Sequence, residues 1–306
     1  MIHVSGLTKE YGQVRAVDDL SFEVQPGIVT GFLGPNGAGK STTMRMIVGL
    51  DTPTAGTALI DGRHYREFAR PLTQVGALLD AKAVHPNRSA ANHLRWLAQS
   101  NGLPTSRVDE VLDLVGLSGV AKKKAGGFSL GMGQRLGLAG ALLGDPRILV
   151  LDEPVNGLDP EGIRWVRGLL RALAAEGRTV LISSHLLSEM ALTADHLIVI
   201  GRGRLVADTT TEEFIRQHSA QTVLVRAEDQ AGLQEHLEAA GLPVTKVNGH
   251  GLEVAGSSTE EVGALAFTGG FQLRELTKRQ ASLEEAFMDS TGASVQYQAQ
   301  EQNAKK

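Results

Sequence analysis

Residues 34–42 read Gly34-Pro35-Asn36-Gly37-Ala38-Gly39-Lys40-Ser41-Thr42, the pattern G-x-x-x-x-G-K-[ST]. Glycines let successive backbone N–H groups close around a polyphosphate, and a following helix N-terminus adds positive partial charge. Lys40 then reaches the terminal phosphates as a point charge, and the Ser41 hydroxyl holds Mg²⁺. A second cluster stands at Asp152-Glu153, at the end of the aliphatic run Ile148-Leu149-Val150-Leu151. One acid in such a pair holds the metal, directly or through water, and the other polarises an attacking water. Together the two clusters predict a site that binds a nucleotide and cleaves its terminal phosphate.

Both clusters need particular supports. The apolar run Ile28-Val29-Thr30-Gly31-Phe32-Leu33 precedes the glycine loop, and Thr42-Thr43-Met44-Arg45-Met46-Ile47-Val48 follows it at helical spacing. That is the strand–loop–helix context the motif requires. Four consecutive large aliphatics before Asp152 predict a strand buried on both faces, as in a parallel sheet. The acids then emerge at the strand's C-terminal end, where open α/β sheets hold their ligands.

Three further stretches complete a pattern. Phe128-Ser129-Leu130-Gly131-Met132-Gly133-Gln134-Arg135 precedes the acid strand by about a helix, Asn156-Gly157-Leu158-Asp159 follows it, and Ser183-Ser184-His185 closes the strand Thr179-Val180-Leu181-Ile182. In order and spacing this resembles the ATP-binding-cassette (ABC) ATPases, over roughly residues 1–218. The resemblance implies a P-loop NTPase α/β cassette with an antiparallel β subdomain and a helical subdomain. It implies that Tyr11 stacks on adenine, that residues 34–42 cradle the phosphates of ATP, and that Asp152 organises Mg²⁺. Glu153 is then the catalytic glutamate and His185 the histidine that contacts the γ-phosphate. Ser129 and Gly131 stand where the family signature meets ATP held by the opposite subunit, and Asp159 stands in the loop crossing that interface. The implied partners are a second copy, packed head to tail around two ATP molecules, and a separate integral membrane permease.

Two positions depart from the family pattern. The usual Leu-Ser-Gly-Gly-Gln reads Phe128-Ser129-Leu130-Gly131-Met132, a variant resembling drug and antibiotic exporters of the daunorubicin and bacitracin resistance type. The glutamine expected after Val75-Gly76-Ala77-Leu78-Leu79 is Asp80, with Gln74 before the strand. Asp80 is accordingly a further candidate Mg²⁺ ligand.

Composition narrows the class. The chain has 306 residues, a net charge of −4 and no cysteine, so it has no overall attraction to nucleic acid and no disulfides. No run approaches the ~18 apolar residues of a membrane span, and Met1-Ile2-His3-Val4-Ser5 lacks signal-peptide character. The expectation is a peripheral subunit on the cytoplasmic face of the membrane. Lys122-Lys123-Lys124 reads as a solvated face, and His64, His85 and His93 have no metal-ligand spacing. Export is expected over a soluble switch ATPase, since no long coiled coil and no second cassette is present; an importer ATPase stays open.

The remaining segments divide the chain. Residues 1–33 alternate like antiparallel strands with turns at Tyr11-Gly12 and Pro26-Gly27. A helical subdomain spans about 87–145, with stripes of Leu94, Leu97 and Ala98 and of Val108, Val111, Leu112 and Val115. Residues 161–176 read as a helix, 197–207 as a hairpin, and Thr210 with Glu213 as a capping box for a helix at 211–218. Residues 219–290 are expected to form a ferredoxin-like α+β domain: strand 222–226, helix 230–240, strands 243–248 and 251–255, helix 259–267, strand 271–276. Its middle turn is Asn248-Gly249-His250-Gly251, and a helix at 281–289 closes it. That domain carries no reactive motif and reads as a dimerisation or regulatory module. Residues 291–306 are polar and expected to be a flexible tail.

Overall fold

The computed structural model describes residues 1–81, 83–218, 222–247, 251–279 and 282–291. The expected turn at 248–250 and tail at 292–306 lie outside them. The chain separates into two compact units, Met1–Thr211 and a second beginning at Glu212.

The first unit opens with a hairpin of β1 (Ile2–Tyr11) and β2 (Val14–Val24), turning through Gly12 at φ +59°. Next come β3 (Val29–Leu33), α1 (Lys40–Ile47), β4 (Ala55–Ile60) and β5 (Val75–Leu78), then the helices α2 (Ala90–Ser100), α3 (Ser106–Leu114) and α4 (Leu130–Leu142). The unit finishes with β6 (Ile148–Leu151), α5 (Pro160–Ala175), β7 (Thr179–Ser183), α6 (Leu187–Thr193), β8 (His196–Gly201) and β9 (Arg204–Thr210). These strands form two sheets: a three-stranded antiparallel one in the order β2-β1-β4, and a six-stranded one in the order β5-β6-β7-β3-β8-β9.

The alternation read across residues 1–33 stops at β2. β3 instead pairs parallel with β7 and β8, so residues 29–33 belong to the larger sheet. The physical reason lies in the side chains. β1 and β2 alternate buried and exposed positions, whereas every residue of β3, β6 and β7 is buried. A strand without a wet face needs cover on both sides, which a central parallel sheet supplies. One core joins the two sheets, drawing Leu20 and Phe22 from the first together with Phe32, Met44 and Val150. The strand order also sets the chemistry: β3, β6 and β7 are neighbours and parallel, so the segments leaving their C-terminal ends gather at one edge.

In the helical segment Leu94 and Ala98 are buried on α2, while Leu97 is only half-buried; Val108, Val111, Leu112 and Val115 are all buried. β8 and β9 form the expected hairpin, with Arg202 and Gly203 at φ +50° and +80° in its turn. Positive φ at both central residues matches the right-handed twist of the flanking strands.

The second unit begins within α7 (Thr211–His218), at Glu212. It contains β10 (Thr222–Ala227), α8 (Gln230–Ala239), β11 (Val244–Val247), β12 (Gly251–Ala255), α9 (Thr259–Thr268), β13 (Leu273–Arg279) and α10 (Leu283–Thr291). Its sheet is antiparallel in the order β11-β12-β10-β13. A separate core of Val223, Val225, Leu233, Leu237, Val254 and Val262 holds it together. β13 starts two residues later than the pattern suggested and runs to Arg279, because its ladder with β10 continues through Arg279 opposite Thr222.

Candidate nucleotide site

The loop between β3 and α1 lines a cavity of about 300 Å³ together with Ala16, Asp152 and Glu153. Its glycines are required by geometry at two places. Gly39 ends the loop at φ +105°, and a Cβ there would stand 2.5 Å from the Ala16 carbonyl. A Cβ on Gly34 would stand 2.5 Å from the Ile200 carbonyl. The backbone can therefore close tightly only without side chains at these positions. The cavity is lined by residues 36–42 but not by Gly34 or Pro35. Their carbonyls accept hydrogen bonds from Lys40 Nζ at 2.6 and 3.2 Å. Lys40 is only 9% exposed. Burial pulls its ammonium below the usual lysine range, while Glu153 and Asp152 act in the opposite direction.

The acids at the end of β6 are held by a hydroxyl network. Ser41 Oγ donates to Asp152 Oδ2 at 2.6 Å. On β7, Ser183 Oγ donates to Asp152 Oδ1 and accepts from the Glu153 backbone N–H at 3.0 Å. Glu153 itself sits at φ +53°, a left-handed conformation costing about 1–2 kcal/mol for a residue with a Cβ. Its carbonyl accepts from Asn156 N at 3.1 Å and from Gln134 Nε2 at 2.8 Å. Its carboxylate meets His185 twice, at Nδ1 (2.6 Å) and at the backbone N–H (3.3 Å). Thus Lys40, Ser41, Asp152, Glu153 and His185, distant in sequence, converge on one sheet edge.

This donor set suits a hard divalent cation. Ser41 and Asp152 present oxygen atoms 2.6 Å apart beside the cavity, and Mg²⁺ characteristically takes one or two protein oxygens together with phosphate and water. The chemistry open to the site is phosphoryl transfer to water. The Lys40 ammonium and the loop amides are groups that could oppose phosphate charge, and the Glu153 carboxylate can accept a proton from water.

Tyr11, Ser129, Gly131 and Asp159 are not among the residues that line this cavity. Tyr11 is 49% exposed, with Lys9 Nζ 4.9 Å from its ring centroid. Its hydroxyl donates to Asp51 at 3.0 Å and lies beside Thr42; burial, then Asp51, raises its pKa. Ser129 and Asp159 both serve as helix caps: Ser129 Oγ accepts from Met132 N at 3.2 Å, and Asp159 Oδ1 accepts from Gly162 N at 2.9 Å. Gly131 packs on the loop carrying Asp159, where a Cβ would stand 2.9 Å from the Gly157 carbonyl. Asp80 does not line the phosphate cavity. It lines a separate groove of about 530 Å³ with Arg45, Leu50, His93 and Trp96. Sequence reasoning assigned no role to Ser183 or Gln134. Their signal is a buried polar side chain in apolar surroundings: Ser183 is fully buried at the end of β7, and Gln134 is 4% exposed on α4.

Comparison with known proteins gives consistent findings. The family profile described as ABC transporter matches residues 17–156, and a domain family of unknown function, DUF8746, matches residues 221–284. The bacitracin transport ATP-binding protein BcrA of Bacillus licheniformis is 44% identical over 211 residues, covering 68% of this chain and 69% of that protein. The Nod factor export ATP-binding protein I of Burkholderia lata is 36% identical over 303 residues, covering 96% of this chain and 98% of that protein. Among solved structures, an ATP-binding subunit of an ABC transporter superposes with a TM-score of 0.65 at 28% identity, covering 71% of this chain and 92% of that one.

Proposed function

Since this chain belongs to the ABC transporter family as an ATP-hydrolysing subunit, we propose that it powers export of a drug, antibiotic or lipid-like substrate through a separate membrane permease. The observation that carries this reading is the convergence of Lys40, Asp152, Glu153 and His185 around the phosphate cavity. ATP is the substrate. The loop amides and Lys40 hold its phosphates, and Tyr11 stacks on adenine. Ser41 and Asp152 hold Mg²⁺, which would offset phosphate charge. Glu153 takes the proton of the attacking water, and His185 senses the γ-phosphate.

The export direction is supported by the Ser129-Leu130-Gly131-Met132 signature and by the names of the two relatives, one for bacitracin transport and one for Nod factor export. Two copies pack head to tail, so that Ser129 and Gly131 complete the partner's site and Asp159 lies at the shared interface. Among the described residues no helix is long and apolar enough to cross a membrane. In this reading a permease on another chain supplies the path, and this subunit works at the cytoplasmic membrane face. Leu50 and Trp96, both more than half exposed beside the groove containing Asp80, offer apolar surface to that permease. Asp80, outside the phosphate cavity, belongs in this reading to the groove rather than to the Mg²⁺ shell.

Residues 219–290 constitute a ferredoxin-like domain; the βαββαβ order and four-stranded antiparallel sheet support that reading. With a core of its own, this domain stabilises the dimer or tunes its opening.

Glu153→Gln tests the catalytic assignment. The amide keeps the shape of the carboxylate but cannot serve as base. Turnover should fall by about 10²-fold or more, ATP affinity should persist, and an ATP-bound dimer should accumulate on size-exclusion chromatography. Hydrolysis at the parent rate would place the base elsewhere.

A further inference from the structure

The peptide units flanking Glu153 are gripped from two elements. The N–H is held by Ser183 Oγ from β7 at 3.0 Å. The carbonyl is held by its own turn, through Asn156 N at 3.1 Å, and by Gln134 Nε2 from α4 at 2.8 Å. The turn contact is local and moves with the loop. Gln134 is therefore the side chain that references this carbonyl to a distant element. Its surroundings give it no solvent alternative: it is 4% exposed, on a helix whose neighbouring Leu136, Leu138 and Ala139 are at most 1% exposed. A buried amide in that setting needs a partner, and the partner is the residue whose carboxylate meets His185.

The backbone conformation makes this grip consequential. At φ +53° Glu153 occupies a region that side-chain-bearing residues rarely hold unaided. Relaxation toward negative φ would rotate the Cα–Cβ bond and swing the carboxylate away from His185 and the cavity. We infer that Gln134 is a positioning residue that holds Glu153 in its left-handed conformation and ties the aim of the carboxylate to the helix capped by Ser129. Ser129 and Gln134 stand on the same rigid helix, five residues or about 7.5 Å of helical rise apart. A displacement of α4 at its signature end would therefore be felt at the Glu153 carbonyl. The inference rests on Glu153 being the general base, as proposed above.

Steady-state ATPase kinetics of the full chain test it, beside affinity for a fluorescent ATP analogue. Gln134→Met keeps length and volume but removes the donor. It should lower kcat by about 10- to 100-fold, the range for misplacing a reacting group by around an ångström, with KM and analogue affinity within threefold of the parent. Gln134→Glu places an acceptor against the carbonyl and should lose at least as much, giving a second reading should Gln134→Met fold poorly by circular dichroism. In a Glu153→Gln background, Gln134→Met should cause no further loss, because the residue acts through the carboxylate already removed. An unchanged kcat in both single variants overturns the inference, as does a raised KM at parental kcat. A further tenfold loss in the Glu153→Gln background also overturns it, since Gln134 would then act independently. Parental turnover in Glu153→Gln alone removes the general-base assignment and this inference with it, whereas a slow Glu153→Gln beside unaffected Gln134→Met and Gln134→Glu removes the inference alone.

Discussion

Replacing Lys40 with methionine removes one charge while keeping most of the side-chain volume, and the structure sets the size of the effect. Nζ lies 2.6 Å from the Gly34 carbonyl and 3.2 Å from that of Pro35, and the residue is 9% exposed. The loop has thus already withdrawn the ammonium from bulk water, so nucleotide binding adds little further desolvation. A phosphate oxygen about 3 Å away would attract it by about 5 kcal/mol at an effective dielectric constant of about 20. Loosening one carbonyl contact returns about 1–2 kcal/mol. The net loss on substitution is about 3–4 kcal/mol, or roughly 10²- to 10³-fold in affinity or kcat/KM. Titration with a fluorescent ATP analogue and a phosphate-release assay would measure both. The nucleotide-free variant should melt within about 4 °C of the parent, because loss of the carbonyl bonds is offset by removing a desolvated cation. An analogue affinity within threefold of the parent would refute the placement of Lys40 at the phosphates.

The site and its surroundings allow three more tests. Ser129→Arg puts a bulky cation where the opposite subunit's γ-phosphate docks in the proposed dimer. ATP should still bind each monomer, while dimer closure by light scattering and hydrolysis both fail; cooperative hydrolysis at the parent rate would contradict the shared site. Ending the chain at Thr211 removes the second unit with its separate core. Nucleotide affinity should stay within about threefold of the parent while the dimer fraction falls, and a collapse of affinity in a folded fragment would reverse the division of labour. His93 supplies a pH test. Burial, aided by Arg88, holds its imidazole below the usual histidine range. Below about pH 6.5 the unfolded chain therefore takes up a proton that the folded chain resists, so stability is lost as pH falls toward the depressed value. The urea midpoint should drop more between pH 7.5 and 5.5 in the parent than in His93→Phe; equal drops would show that His93 contributes nothing to the dependence.

Much of the site is legible in the sequence because its parts are local. A glycine-rich loop, its lysine and the helix that follows form one continuous segment, and the strand–loop–helix pattern appears in the structure at β3 and α1. Asp152 and Glu153 are equally local, announced by four buried aliphatics. The helical stripes and the βαββαβ element order follow from side-chain periods of 3.6 and 2, which short windows contain. Where local reading fell short, the deciding quantity was a neighbour. The alternation across residues 1–33 could not say that β3 leaves the antiparallel sheet, because strand partners are chosen by cover on both faces. Asp80 follows a strand as the acid pair does, yet it lines a different groove. β5 sits at the sheet edge, two strands removed from β7 and three from β3.

The sequence by itself determined which groups could bind phosphate and a metal, and which segments would carry them, since both depend on residue type and short spacing. The tertiary structure alone decided how those groups are held. It brought β3, β6 and β7 together, so that Lys40, Glu153 and His185 share one edge. It placed Glu153 in a left-handed conformation and supplied Ser183 and Gln134 from other elements to grip its flanking peptide units. Each of these is a contact between residues far apart in the chain. Such contacts are selected by packing and by the need to satisfy every buried polar group, and neither condition is written in a local pattern.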